Sequence, residues 1–185
     1  MATTIAATGS VATTASPIEL TVTRTQTEGP YWLPGSPARK NVREPGVRGD
    51  PLIFRGRVVN IRGKPIEGAW VDIWQADGEG RYDIFGYRLR GNQMTDADGR
   101  FEHFTVVPCE YDAPLTNADG ETRMVYRTAH LHVKVKAPQR GTLTTQVYLP
   151  GYPGNERDSG YGDDCLLEMT ETPEGKVGEF TFVLK

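Results

Sequence analysis

Arg127-Thr-Ala-His130-Leu-His132-Val-Lys134-Val-Lys136 is the stretch on which the reading of the fold turns. From Ala129 onward it alternates, with Ala129, Leu131, Val133 and Val135 on one side and His130, His132, Lys134 and Lys136 on the other. A strand sends residues i and i+2 to the same face, so the pattern predicts a β-strand with one apolar face. Two of the three histidines then point the same way, with Cα atoms about 6.6 Å apart at the ordinary strand rise. That spacing lets two imidazoles converge on one metal ion. Taken alone, it reads more readily as two surface histidines on a polar strand face.

Outward from this stretch, similar segments recur. Leu52 to Val59, Ala69 to Ala76, Phe101 to Val107, Thr142 to Leu149 and Glu179 to Leu184 read as short strands, with Ile18 to Thr23 a further candidate. Turns such as Arg62-Gly-Lys-Pro65 and Asp77-Gly-Glu-Gly80 punctuate them. Short strands separated by turn signals predict an antiparallel sandwich. Asp96-Ala-Asp-Gly99 and Asn117-Ala-Asp-Gly120 resemble calcium loops, but their twelfth positions, Val107 and Thr128, lack the carboxylate an EF-hand needs. Both are read as turns. Thr25 to Pro51, with five prolines and little periodicity, is an irregular arm of the kind that is functional or drapes over a neighbour. Pro150 to Asp164 is a second long loop, over one end of the sandwich. The expected fold is all-β, an antiparallel β-sandwich with long loops and an extended N-terminal arm. It occupies residues 18–185 as a single domain behind a mobile tail over 1–17.

A chain of 185 residues suits one domain. Its formal charge of −3 argues against nucleic acid or an anionic membrane as partner. Arg39, Lys40, Arg43, Arg48, Arg55, Arg57 and Arg62 make the N-terminal third locally basic, which reads as a solvated face or subunit contacts before a steering field. Cys109 and Cys165 do not make a disulfide framework and fit a reducing cytoplasm. No apolar run reaches the length of a membrane span. The start, Met1 to Ser16, lacks the basic and apolar regions of a signal peptide.

Two tyrosines change the reading of the histidines. Gly80-Arg-Tyr82-Asp places one just after a glycine turn, and Pro108-Cys-Glu-Tyr111 places another just beyond the next clear strand. Each alone is an ordinary rim aromatic. With His130 and His132 they form a possible Tyr₂His₂ ligand set. A phenol ligates only when a strongly charged cation drives off its proton, so the set suits ferric iron. Zinc draws more often on thiolates, carboxylates and imidazoles.

The ordered motifs Glu28-Gly-Pro-Tyr31, Gly63-Lys-Pro-Ile-Glu-Gly-Ala69, Val71-Asp-Ile-Trp-Gln-Ala76, Gly80-Arg-Tyr82, Thr95-Asp-Ala-Asp-Gly-Arg-Phe101, Pro108-x-x-Tyr111 and Arg127-x-Ala-His-Leu-His132 resemble the intradiol ring-cleavage dioxygenases. That family includes catechol 1,2-dioxygenases and protocatechuate 3,4-dioxygenases. The resemblance implies Fe(III) held by Tyr82, Tyr111, His130 and His132, with Arg127 as ring-cleavage arginine and Gln146 supporting it. It implies a catechol-type substrate and O₂, cleavage between the hydroxyl-bearing carbons, and Tyr111 as a displaceable ligand that takes up a substrate proton. Arg127 has the wrong parity for the histidines' face, so it must precede the regular strand, while Gln146 shares a face with Thr144 and Tyr148.

Tyr31, Asp83, Tyr87 and Arg88 are candidate substrate-binding residues, with Trp32, Ile84 and Phe85 beside them. A homo-oligomer is expected. The chain departs from the family at Cys109-Glu110 and at an insertion over Asp112 to Thr122, and shows no counterpart of the helical dimerisation segment of catechol 1,2-dioxygenases. Two other readings stay open. One is a non-catalytic transthyretin-like sandwich, which would leave the four ligand candidates without a role. The other is a zinc hydrolase built on His130, His132 and Cys109, which would leave both tyrosines and Arg127 unused.

Overall fold

A computed structural model describes residues 19–185. The expected tail over 1–17 lies outside the described residues, as does Ile18. Of the first strand candidate, Glu19 to Thr23 forms no strand, although Leu20 and Thr23 hydrogen-bond to Ile61 and Val183 through the backbone.

Two four-stranded sheets make the sandwich. One has the order β4-β1-β10-β9, from Arg100–Val106, Pro51–Asn60, Gly175–Leu184 and Glu168–Thr172. The other has the order β3-β2-β7-β8, from Arg90–Met94, Trp70–Gln75, His130–Lys136 and Thr142–Tyr148. The alternating apolar residues meet between them: Phe54, Val58, Phe101 and Phe182 from the first sheet, and Val71, Ile73, Leu131, Val133, Val135 and Val147 from the second, are all buried in one cluster. Pairing within the sheets is antiparallel except at β1 and β10, which run parallel from Leu52↔Lys176 to Asn60↔Leu184. A parallel pair needs a long crossover, and here the rest of the domain supplies it.

Four strands carry little sequence signal. β3 reads Arg-Gly-Asn-Gln-Met and β9 reads Glu-Met-Thr-Glu-Thr, neither with the apolar alternation that marks a strand. The stretch over Asp112 to Thr122 is a hairpin of β5 (Tyr111–Thr116) and β6 (Thr122–Arg127). Its turn is Asn117-Ala-Asp-Gly120, where Asn117 Oδ1 accepts the N–H groups of Asp119 and Glu121 at 3.1 and 2.8 Å. Asp96 does the same for Asp98 and Arg100 at 3.0 and 2.7 Å. Both calcium-like motifs are turns, as the missing twelfth ligand predicts.

The polar face of β7 is not a solvent face. His130, His132 and Lys134 are all buried, with Lys134 only 6% exposed. The N-terminal arm lies across it: Trp32 Nε1 and Ser36 Oγ donate to the two oxygens of Asp72 at 3.1 and 2.6 Å. Lys134 Nζ sits 3.5 Å from the centre of the Trp32 ring and pairs with Glu28. A polar strand face can be buried this way because each charge finds a partner in the arm. In the basic N-terminal third, Arg39, Lys40, Arg48 and Arg55 form surface ion pairs with Glu44, Glu102, Glu79 and Glu179.

Candidate metal centre

The covered outer face of the β3-β2-β7-β8 sheet is where the singled-out residues gather. Across the ladder, His132 stands opposite Trp74 on one side and Gln146 on the other, and His130 opposite Tyr148. The Trp74 and His132 rings stack at 4.8 Å and 9°, which fixes the plane of the imidazole.

Tyr82 arrives on a loop and Tyr111 at the first residue of β5, directly after a second loop, and the two loops are pinned together by the Cys109 N–H to Asp77 O bond of 3.0 Å. Asp77 Oδ1 also accepts the N–H groups of Glu79 and Arg81, at 2.9 and 3.0 Å, and so shapes the turn before Tyr82. Gly80 lets the loops close: its φ is +77°, and a Cβ there would lie 2.5 Å from the Glu110 carbonyl oxygen and 3.3 Å from the Tyr111 side chain. The result is a chain of donor atoms. Tyr82 Oη lies 3.2 Å from Tyr111 Oη, Tyr111 Oη 3.3 Å from His130 Nε2, and His130 Nε2 3.1 Å from His132 Nε2. His130 Nδ1 is 2.6 Å from Thr128 O.

Burial sets the charge state of the cluster. It pushes the Tyr82 phenol well above its ordinary value, with the neighbouring Tyr111 adding to the effect. It pushes Tyr111 up to about 12, against the stabilising bond from Tyr82 and the charge of Arg127. It pushes His130 down to about 4 and His132 well below its ordinary value, with Arg127 opposing protonation of both. Two neutral phenols and two neutral imidazoles therefore face one another. Donors sharing one first-row ion at bonds of about 2.0–2.2 Å lie about 3 to 3.5 Å apart, and the observed separations fall in that range. Among the described residues no carboxylate or thiolate joins the four, and two phenol oxygens suit a hard, highly charged ion. The residues fit ferric iron.

Arg127 ends β6, outside the histidine strand as its parity requires, and stands opposite Tyr111 in the hairpin. Its Nε donates to Asp158 Oδ1 and Oδ2 at 3.2 and 3.0 Å, and its Nη2 donates to Gln146 Oε1. Gln146 in turn donates to Thr27 O at 2.8 Å and accepts from Tyr148 Oη at 2.9 Å. Asp158, Thr128 and the stacked Trp74 escaped sequence reasoning. Asp158 lies in an acidic stretch with Glu156, Asp163 and Asp164, and nothing local distinguishes it from them.

The four candidate substrate residues are placed unequally. Tyr31 stacks on Tyr82 at 4.3 Å and meets Tyr111 edge-on at 6.2 Å. Asp83 turns its carboxylate back onto the N–H groups of Phe85, Gly86 and Arg88. Tyr87 donates its hydroxyl to Pro34 O at 2.8 Å, holding the arm. Arg88 is exposed, as are Ile84 and Phe85; Trp32 packs on Lys134. The Cys109 thiol donates to Glu110 Oε2 at 3.3 Å, and the third histidine, His103, lies buried in the other sheet.

A sandwich that gathers two half-buried phenols and two buried imidazoles against one sheet defines a candidate non-haem metal protein, and comparison with known proteins narrows the class. Residues 27–159 match a family model described as Dioxygenase. The chain is 35% identical over 146 residues to 6-chlorohydroxyquinol 1,2-dioxygenase of Cupriavidus pinatubonensis, covering 72% of this chain and 53% of that one. It is 34% identical over 146 residues to chlorocatechol 1,2-dioxygenase of Rhodococcus opacus, covering 71% and 56%. Among solved structures it superposes on the dioxygenase domain of a dioxygenase carbohydrate-binding protein fusion from Streptomyces sp. SirexAA-E, with a TM-score of 0.77, 39% identity and coverage of 89% and 99%. It also superposes on 3-chlorocatechol 1,2-dioxygenase of Rhodococcus opacus 1CP, with a TM-score of 0.76, 30% identity and coverage of 88% and 71%. The chain belongs to the intradiol ring-cleavage dioxygenase family. It spans about half the length of the two relatives matched by sequence. No helix among the described residues is long and apolar enough to cross a membrane.

Proposed function

We propose that this domain holds one ferric ion between Tyr82, Tyr111, His130 and His132 and cleaves catechol-type rings between the two hydroxyl-bearing carbons. O₂ is the co-substrate and a muconate-type diacid the product. What carries the reading is the succession of two phenol oxygens and two imidazole nitrogens, each 3.1–3.3 Å from the next. Both atoms of O₂ enter the product as the carbon–carbon bond breaks, so no external reductant is consumed. Fe(III) bound there would supply the Lewis acidity that favours the doubly deprotonated catechol and the oxidising character that opens the ring to O₂.

The chain's own residues do the rest. Tyr82 lies under the ring of Tyr31 and stays in place. Tyr111, which would have given up its proton when the ion bound, would give way to the substrate, and its Oη would then take up a substrate proton. Arg127 has Nε and Nη2 committed to Asp158 and Gln146, which leaves Nη1 to face the substrate. There a fixed guanidinium stabilises carbanion character at the ring carbon. Tyr31 from the arm and Tyr87 shape the pocket beside the cluster, Asp83 holds the turn that carries Tyr87, and exposed Arg88 meets ring substituents. Self-association into a homo-oligomer belongs to the same reading, and light scattering tests it. The reaction is tested with ¹⁸O₂ and a panel of catechol, hydroxyquinol and protocatechuate. At least one should give a ring-opened diacid carrying both labelled atoms; cleavage outside the diol, or oxygen from water alone, overturns the proposal.

A further inference from the structure

Asp158 belongs to neither sheet. It follows the first of two 3₁₀ turns, Asn155–Arg157, in the loop beyond β8, yet its side chain has no exposed surface. Its carboxylate is fully engaged. Besides Arg127 Nε, it accepts the Thr128 N–H on Oδ2 at 2.9 Å and the Gly160 N–H on Oδ1 at 2.8 Å. A charge this deep is retained only with partners, and here one guanidinium and two backbone donors provide them.

The two residues it grips are consecutive, and they serve different parts of the site. Arg127 is held by its side chain and Thr128 by its backbone. Thr128 is also the residue whose carbonyl oxygen lies 2.6 Å from His130 Nδ1. The same turn takes a second hold on it, because Thr128 Oγ1 donates to Asn155 Oδ1 at 2.9 Å and Asn155 Nδ2 donates to Leu149 O at 2.9 Å. Thr128, Asn155 and Asp158 are all buried. Gly160 keeps the loop close: a Cβ there would lie 2.6 Å from Tyr148 Oη and 3.2 Å from Arg127 Nη2.

We propose that Asp158 is a positioning residue that aims the Arg127 guanidinium and, through the Thr128 backbone on either side of its Cα, holds the His130 ring in register with it. The part concerning Arg127 rests on the reaction proposed above; the part concerning His130 needs only that the cluster bind a metal. Gln146 holds one guanidinium nitrogen and cannot by itself stop rotation about that bond. Asp158 holds the second, so the pair defines the guanidinium plane and leaves Nη1 without a protein partner among the described residues. Loss of the Asp158 charge frees the arginine and slackens the Thr128 backbone, whose carbonyl orients His130.

The experiment compares Asp158→Asn and Asp158→Glu, each alone and with Arg127→Ala, in iron-reconstituted protein. Asp158→Asn should lower kcat about ten- to hundredfold with little change in KM, and should cost nothing further in kcat once Arg127 is Ala. Iron affinity, from chelator competition, should fall by the same factor in both backgrounds, because that path runs through Thr128. Asp158→Glu, which keeps the charge, should recover part of both losses. An equal kcat loss in both backgrounds, or a fall in Tm with kcat and iron affinity unchanged, overturns the proposal. One measurement needs neither variant nor turnover: the Arg127 Nε–H resonance of the wild type should be protected from solvent exchange by NMR. Exchange at the rate of free arginine refutes the positioning role outright. If no catechol is turned over while that resonance is protected and iron affinity behaves as expected, it is the reaction that is wrong.

Discussion

Nε2 of His130 and Nε2 of His132 stand 3.1 Å apart at the centre of the cluster, and the Thr128 carbonyl lies 2.6 Å from Nδ1 of His130. A carbonyl can only accept, so the His130 proton is on Nδ1 and its Nε2 turns a lone pair toward His132. His132 Nδ1 is buried with no partner among the described residues. The phenols beside them are held neutral by burial. The cluster is an uncharged donor set, and a bound cation reverses the preference of each phenol for its proton.

Reconstitution with Fe(III) should therefore give about one ion per chain and a reddish-brown protein, since phenolate-to-ferric charge transfer absorbs broadly in the visible. At neutral pH the ion must displace two phenol protons and none from the imidazoles. Apparent affinity should then rise about a hundredfold per pH unit between roughly pH 6 and 8, measured by competition with a chelator of known protonation. A protein that stays colourless, or that takes up stoichiometric zinc in place of iron, contradicts the site.

Arg127→Ala should retain iron and colour and lose about 10²- to 10³-fold in kcat, the usual cost of removing one donor aimed at developing negative charge. Steady-state kinetics at matched iron content decide it. Full activity in that variant rules out the assigned role.

The two tyrosines should separate spectrally. Tyr82→Phe should shift the resting spectrum and the substrate-bound spectrum alike. Tyr111→Phe should shift the resting spectrum, while its catechol complex approaches that of the wild type, because the ligand it lacks has already left. Turnover should fall in both. Indistinguishable catechol complexes in a spectral titration would end the distinction between a fixed and a displaceable ligand.

Gly80→Ala probes the closure of the two tyrosine loops. The left-handed backbone and the 2.5 Å approach to the Glu110 carbonyl leave no room for a methyl group. The variant should lose about 1–3 kcal/mol of stability and bind iron more weakly, because Tyr82 is pushed from Tyr111. Denaturant melts with parallel iron titrations test both effects, and unchanged iron affinity would show that the loop position does not govern the cluster.

Acid should unfold the metal-free domain through its buried histidines. Burial lowers His103 to about 3 and His130 to about 4, from an ordinary 6.5. A depressed folded pKa means that the unfolded chain binds more protons, so stability is complete above about pH 6.5 and drains as pH falls toward 3. His103 lies away from the ligand cluster, so His103→Gln should flatten the fall without altering iron binding. Urea midpoints between pH 4 and 8 measure it, and a wild-type midpoint independent of pH in that window refutes it.

Features that depend on near neighbours were legible in the chain. The period-2 alternation of β1, β2, β4, β7, β8 and β10 and the Asp96 and Asn117 turns are local chemistry. So are the common face of His130 and His132 and the exclusion of Arg127 from their strand. Features created by distant partners were not. β3 and β9 are strands because neighbouring strands pair with them, not because their own residues alternate. The histidine face is buried because Trp32 and Ser36 reach Asp72 from the arm, where period 2 alone suggested solvent. Asp158 became part of the site because a loop beyond β8 folds back on Arg127 and Thr128. Local pattern selects strands, turns and facing directions, since these depend on backbone sterics and neighbouring side chains. Which polar face is covered, and which buried charge holds which, is decided only when segments far apart in the chain are packed together.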